Sequence, residues 1–154
     1  DAHHGNGIQT AFEEEADTTY VSIHEHPSFS YPGTGWAEDR GFGPGKGTIL
    51  NLPLPPGSGE EQVARLLPRI RKFLEEARPD ALIVGAGFDA LREDDMSGLN
   101  FSVDVYRRLG AFVTELGRDL TGGRVVSILE GGYNLDQLGV CVEAYLSGLV
   151  ENNP

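Results

Sequence analysis

Ala81-Leu82-Ile83-Val84-Gly85-Ala86-Gly87-Phe88-Asp89 carries the clearest statement of architecture in the chain. An apolar run without a polar interruption passes into a turn of small residues and then a single carboxylate. Such a run, bounded by glycine, reads as a strand covered on both faces, as in a parallel sheet. Thr19–Ile23, Thr48–Leu52 and Val125–Leu129 are further β-rich runs, and three of the four runs are nearly continuous in apolar residues. Three segments between and after them carry helical period. Val63, Leu66, Leu67, Ile70, Phe73, Leu74 and Ala77 form one stripe, with Pro68 expected to kink it or mark a late start. Val105, Leu109, Phe112, Val113, Leu116 and Leu120 form a second, with Ser102 as N-cap. Leu135, Leu138, Val142, Tyr145, Leu146 and Leu149 form a third, and a short helix is expected over Ile8–Glu15. Strand and helix alternate, so the class is α/β, with a single three-layer, mostly parallel sheet as the expected architecture.

Bulk properties narrow the function. One domain suits 154 residues, enough chain to bury a core. The formal charge is −12, from 24 acids against 12 bases. That surface argues against nucleic acid, which needs basic patches to displace counterions, and suits a cationic or neutral substrate. The acidic cluster Glu13–Glu15 with Asp17 reads as a solvated helix end. Cys141 is the only cysteine, so no intrachain disulfide forms, and its helical setting makes it buried filler. No apolar run is long enough to span a bilayer. Together these give a cytoplasmic location as the expectation. From His24 to Gly47 there are eleven Gly, Pro or Ser residues and little periodicity; loops this long in a compact domain are usually functional.

Open α/β sheets bind ligands beyond the C-terminal ends of their strands. Asp89 follows one strand by a few residues, and Tyr133 of Glu130-Gly131-Gly132-Tyr133-Asn134 follows another. The chain opens Asp1-Ala2-His3-His4-Gly5-Asn6-Gly7. Two carboxylates and an imidazole can hold zinc and leave a position for water or substrate. Bound zinc lowers the pKa of water and polarises a carbonyl. A tyrosine hydroxyl adds a hydrogen bond to a developing oxyanion. Taken singly, Asp-x-His is more often a cap and a core histidine, and Gly-Gly-Tyr is a turn.

In order along the chain, these motifs resemble the zinc-dependent histone deacetylase family, which includes acetoin-utilisation and acetylpolyamine amidohydrolase proteins. The resemblance rests on the Asp1–Gly7 segment, Ser22-Ile23-His24, Tyr31-Pro32-Gly33-Thr34-Gly35, Gly87-Phe88-Asp89-Ala90 and Glu130–Asn134. It implies an arginase/deacetylase-type α/β fold, with residues 1–154 as the C-terminal part of a single deacetylase domain and its N-terminal part missing. Asp1, His3 and Asp89 would ligate Zn2+, and Tyr133 would be the catalytic oxyanion donor. Tyr31 would wall the acyl-lysine tunnel, with Met96 and Gly131 near its mouth and floor. A structural K+ or Na+ would sit on main-chain oxygens of Asp1, His3 and Ile23 and the Ser22 hydroxyl, with a second site near Phe12, Glu15 and Thr18. The implied reaction is hydrolysis of an acetyl-lysine-like or acetylamine substrate.

The match has gaps. The family's adjacent histidine pair, one of them the general base, lies upstream of the ligand segment and has no counterpart here. The proton would therefore go to a histidine in the missing N-terminal half or another chain. The alternative is a metal-binding fragment or pseudoenzyme. Asp94-Asp95-Met96 stands where many relatives have Asp-Pro-Leu. Met96 at the gatekeeper place leans away from polyamines, while Asp95, one residue off, keeps them open.

Two glycine motifs suggest other chemistry. Gly85–Ala90 fits G-x-G-x-x-A, but a dinucleotide site needs a helix to start at once, and Arg92–Leu99 is charged with no stripe before Val105. Gly41–Gly47 lacks the phosphate-loop spacing, since Arg40 replaces the first glycine and Gly47 follows Lys46, so it reads as a tight loop. His4 is expected to order its loop, His24 and His26 to lie at the surface, and Trp36 to shape the pocket rim or anchor its loop.

Overall fold

Each continuous apolar run becomes a parallel strand. In the computed structural model, which describes residues 1–151, the order is α1 (Asn6–Phe12), β1 (Tyr20–Glu25), β2 (Ile49–Leu54), α2 (Glu60–Ala77), β3 (Leu82–Ala86), α3 (Val103–Leu116), β4 (Val125–Leu129) and α4 (Leu135–Glu151). The last three residues of the expected 1–154 span lie outside the described residues. β1 pairs with β2 from Tyr20–Ile49 to Glu25–Leu54, and β3 with β4 from Leu82–Val125 to Ala86–Leu129, both parallel.

The α/β class with parallel strands therefore holds, but the single continuous sheet becomes two two-stranded sheets among the described residues. The expected cover on both faces does not hold either, since Ile83 of β3 and Val126, Ile128 and Leu129 of β4 are exposed. Residues 1–4 lie between the two pairs without forming a strand. Ala2 O accepts from Glu25 N at the end of β1 (2.8 Å), and Gly87 beyond β3 lies against Asp1. No described helix is long and apolar enough to cross a membrane.

β2 runs two residues further than its apolar pattern predicts, through Pro53. Tyr20 N bonds Thr48 O and His26 N bonds Leu54 O, so even-numbered residues of β2 face β1 and Pro53 faces the open edge. There a missing N–H breaks no ladder bond. β1 extends through His24 and Glu25 because both are buried side chains within the strand, not loop residues. α1 ends at Phe12, earlier than expected, and leaves Glu14, Glu15 and Asp17 solvated.

α2 does not start late at Pro68 but runs through it. It begins at Glu60, with Gly59 N bonded to Gln62 Oε1 (2.9 Å), and Pro68 sits on its exposed side. Val63, Ile70 and Leu74 are its buried residues. Ser102 precedes α3 in extended conformation but makes no side-chain cap bond. α3 and α4 pack closely: a Cβ on Gly110 would lie 2.1 Å from Tyr145 O, and one on Gly148 the same distance from Arg107 O. The main core gathers Ala2, Leu54, Val63, Phe88, Leu91, Phe101, Val105, Tyr106, Cys141 and Tyr145. Cys141 is fully buried, as expected, and burial pushes its thiol pKa up, with the Glu93 and Asp94 charges adding to the effect. A second cluster joins Leu50, Leu52, Ile70, Leu74 and Leu116.

Candidate active site

Three separate pieces of chain meet at the C-terminal edge of β3 and β4. The turn Gly87-Phe88-Asp89 leaves β3, the loop 131–134 links β4 to α4, and residues 1–4 cross beside both. Phe88 N bonds Gly131 O (2.7 Å), which ties the two loops together. Asp89 is fully buried, its Oδ1 accepting from Ala2 N at 2.6 Å. His3 Nδ1 lies 2.9 Å from Asp89 Oδ2 and 3.0 Å from Asp1 Oδ1. Gly131 N donates to Asp1 Oδ2 at 2.9 Å.

One ligand atom from each of Asp1, His3 and Asp89 lies within 4.8 Å of the others. A buried carboxylate beside a second carboxylate is costly without a cation, and a single imidazole shared by two acids is weak compensation. The donor set fits a divalent ion that takes nitrogen and oxygen ligands and keeps one position open. Gly131 completes the enclosure: a Cβ there would lie 2.4 Å from both Asp1 Oδ2 and Asp89 Oδ2.

Around this cluster, the expected substrate residues are placed unevenly. Tyr133 is 58 % exposed, Met96 49 % and Tyr31 79 %, the last beside the cis Tyr31–Pro32 peptide. The side-chain hydrogen bonds of Asp1, His3 and Asp89 run to one another and to backbone N–H groups of Ala2, His3 and Gly131. Among the described residues, none runs to Tyr31, Met96, Tyr133, Ser22 or Ile23. Ser22 Oγ instead bonds His24 Nδ1 at 2.8 Å. Ile23 packs against the core cluster that contains Ala2.

Beside Asp1, His3 and Asp89 lies a buried polar network. His4 Nδ1 meets Thr34 Oγ1 and its Nε2 meets Gln9 Oε1, both at 2.9 Å, so His4 orders its loop as expected. Gln9 Oε1 also accepts from Asn51 Nδ2 (2.8 Å). His24 is not at the surface. It is fully buried on β1, its Nε2 2.8 Å from Gly35 O and its ring 4.8 Å from that of His4. Polar partners at both nitrogens let a strand bury it. Burial holds its pKa down to about 4, with Gly35 O opposing and His4 and His26 adding to the depression. Burial likewise lowers His4. His26 is half-buried against Trp36 (ring centroids 5.2 Å), and Trp36 O accepts from Asn51 Nδ2 (3.3 Å), so Trp36 anchors its loop.

Two buried carboxylates were not singled out by the sequence. Asp94 Oδ2 accepts from Tyr133 N (2.7 Å) and Asn134 N (2.9 Å), and Glu25 accepts from Gly98 N (3.0 Å). Asp94 stands 39 positions before Tyr133, and nothing in its neighbours marks the pairing. The glycine motifs are also decided. After β3 no helix forms until Val103, so no helix start faces Gly85–Ala90, and Gly43–Gly45 is one 3-10 turn leading into β2.

Parallel strands that bring Asp89 and the Tyr133 loop to one edge, beside Asp1 and His3 of the opening segment, define an α/β protein with a carboxylate–imidazole site. Residues 1–149 match the model of the histone deacetylase domain, and the chain belongs to that family. It is 42 % identical over 143 residues to the chloroplastic histone deacetylase 14 of Arabidopsis thaliana, covering 92 % of this chain and 33 % of that protein. The structure of acetylpolyamine aminohydrolase from Burkholderia pseudomallei is similar with a TM-score of 0.92 at 34 % identity, over 100 % of this chain and 44 % of that one. The histone deacetylase Clr3 structure gives 0.90 at 35 % identity, over 100 % and 26 %. The chain thus spans less than half the length of these relatives.

Proposed function

We propose that these residues form part of a zinc-dependent amidohydrolase that removes acetyl groups from acetyl-lysine-like amines. The observation that carries this is the convergence of Asp1, His3 and Asp89 on one point, with Asp89 fully buried. Family membership and the names of the relatives support the deacetylase class. Asp1, His3 and Asp89 would hold Zn2+, which would supply Lewis-acid polarisation of the acetyl carbonyl and acidify water. Tyr133 directs its hydroxyl to the carbonyl oxygen and stabilises the oxyanion that develops there. Tyr31 and Met96 guide the acyl chain, and Gly131 leaves room at the floor. K+ or Na+ is carried by main-chain oxygens of Asp1, His3 and Ile23 with the Ser22 hydroxyl. The net charge of −12 favours an amine that becomes cationic on release.

The proton passes to a histidine outside residues 1–154. A second reading, metal binding without turnover, draws support from one observation: both ring nitrogens of His4 and of His24 are already engaged. Chelator-sensitive deacetylation of an acetyl-lysine peptide, measured on protein that also supplies the outside histidine, separates the two, since the second gives bound zinc alone. Within the enzyme reading, Tyr133→Phe lowers kcat by about 10²–10³ with zinc content unchanged. An unaltered kcat removes Tyr133 from the reaction.

A further inference from the structure

We infer that Asp94 is a positioning residue for Tyr133, holding the oxyanion donor and the Met96 segment on one buried carboxylate; the inference rests on the deacetylase reading above. Little else fixes Tyr133. Its side chain is more than half exposed, so the surrounding core does not clamp it. The loop that carries it follows Gly132, whose φ is +141°, a backbone conformation that does not hold neighbouring residues in place by itself.

What does hold the loop is a set of directed bonds. At its start, Gly131 N donates to Asp1 Oδ2 and Gly131 O accepts from Phe88 N. At its end, Asp94 Oδ2 takes both the Tyr133 and the Asn134 N–H, at 2.7 and 2.9 Å. Asn134 adds its side-chain N–H to Glu93 O at 2.6 Å. The other oxygen, Asp94 Oδ1, accepts from Met96 N at 3.0 Å. Asp94 is 5 % exposed. A buried carboxylate that receives three backbone N–H groups is a charge-assisted anchor, roughly twice as strong per bond as a neutral one.

The segment bearing Met96 is braced from its far side as well. Glu25, also buried, accepts from Gly98 N with both oxygens, at 3.0 and 3.1 Å, and Ser97 Oγ donates to Asp89 O. Asp94 therefore sits where the metal-ligand turn, the Met96 segment and the Tyr133 loop meet. Losing it frees the Tyr133 backbone while leaving Asp1, His3 and Asp89 their own bonds. A displacement of about 1 Å at a catalytic group costs on the order of 10²-fold in rate. The effect belongs to kcat, because Tyr133 bonds most strongly to the transition state.

A cap at the start of α4 would serve stability alone, so the test must separate the two roles. A double-mutant cycle does this: kcat and KM are measured for the zinc-loaded active protein, for Asp94→Ala, for Tyr133→Phe and for the pair. The expected result is a kcat lower by about 10–100-fold in Asp94→Ala with little change in KM or zinc content. In the Tyr133→Phe background, Asp94→Ala then costs less than about twofold, since its route is already closed. Asp94→Asn, which keeps the volume and one accepting oxygen, falls between, and stands in for Asp94→Ala if that variant does not fold. Full additivity, or unchanged kcat in Asp94→Ala, overturns the proposal. Amide exchange on the 154-residue chain needs no turnover. There, Asp94→Ala speeds exchange at Tyr133 and Asn134 by about tenfold or more while Gly131 stays protected. Unchanged exchange at both overturns the proposal even if the deacetylase reading has failed by an unaltered kcat in Tyr133→Phe.

Discussion

Gly131 tolerates no side chain, because the first atom beyond its Cα would press on the Asp1 and Asp89 carboxylates at once. Gly131→Ala is expected to weaken zinc binding by about 10–100-fold, the usual cost of disturbing the groups that orient metal ligands; zinc titration with a competing chelator checks it. His24 gives a pH prediction. Its folded pKa of about 4 lies below the ordinary 6.5, so the unfolded chain binds the proton first. Stability is full above pH 6.5 and falls as pH drops from there toward 4, by an amount on the order of 3 kcal/mol for this one group. Denaturant midpoints between pH 7.5 and 4.5 should fall for the parent and fall less for His24→Gln; equal slopes would contradict the assignment. At single residues the sequence was legible where a motif carried the residue. Asp1, His3 and Asp89 converge, whereas Asp94, Glu25 and the burial of His24 were hidden. Asp94 and Glu25 each take a backbone group far along the chain, and His24 takes Gly35 O eleven residues on besides Ser22 Oγ, so no local pattern announces them.

Among the elements, the contact between α3 and α4 is set by two glycines. A methyl on Gly110 or Gly148 would meet backbone at 2.1 Å, which only helix separation could relieve. Either Gly→Ala change is expected to destabilise by about 1–3 kcal/mol, as overpacking does. Gly139 is the control. It lies on α4, and a methyl added there would meet nothing within 4 Å, so Gly139→Ala should be neutral or stabilising by up to about 1 kcal/mol. Thermal melts of the three variants decide it, and a Gly110→Ala melting temperature equal to that of the parent would refute the close packing. Strands and helices were legible because continuous runs and 3.6-residue stripes mark the element type, although the runs of β3 and β4 did not report burial: Ile83, Val126, Ile128 and Leu129 are exposed. Boundaries slipped where burial was polar, at His24 and Glu25, or where a proline sat on an unpaired edge or exposed face, at Pro53 and Pro68.

For the molecule as a whole, the sequence pointed to parallel α/β organisation but not to the division into two strand pairs. Residues 1–4 run between the two pairs and have no periodicity to read. Residues 1–4 also bring Asp1 and His3 to Asp89. Everything proposed for the chemistry depends on these three side chains forming one metal centre. Calorimetric titration of zinc into the metal-free protein, beside Asp89→Asn, decides whether they do. One zinc ion per chain in the parent, with binding lost or weakened by at least about 100-fold in the variant, is the predicted result. Equal binding by both proteins, or none by the parent, would contradict it.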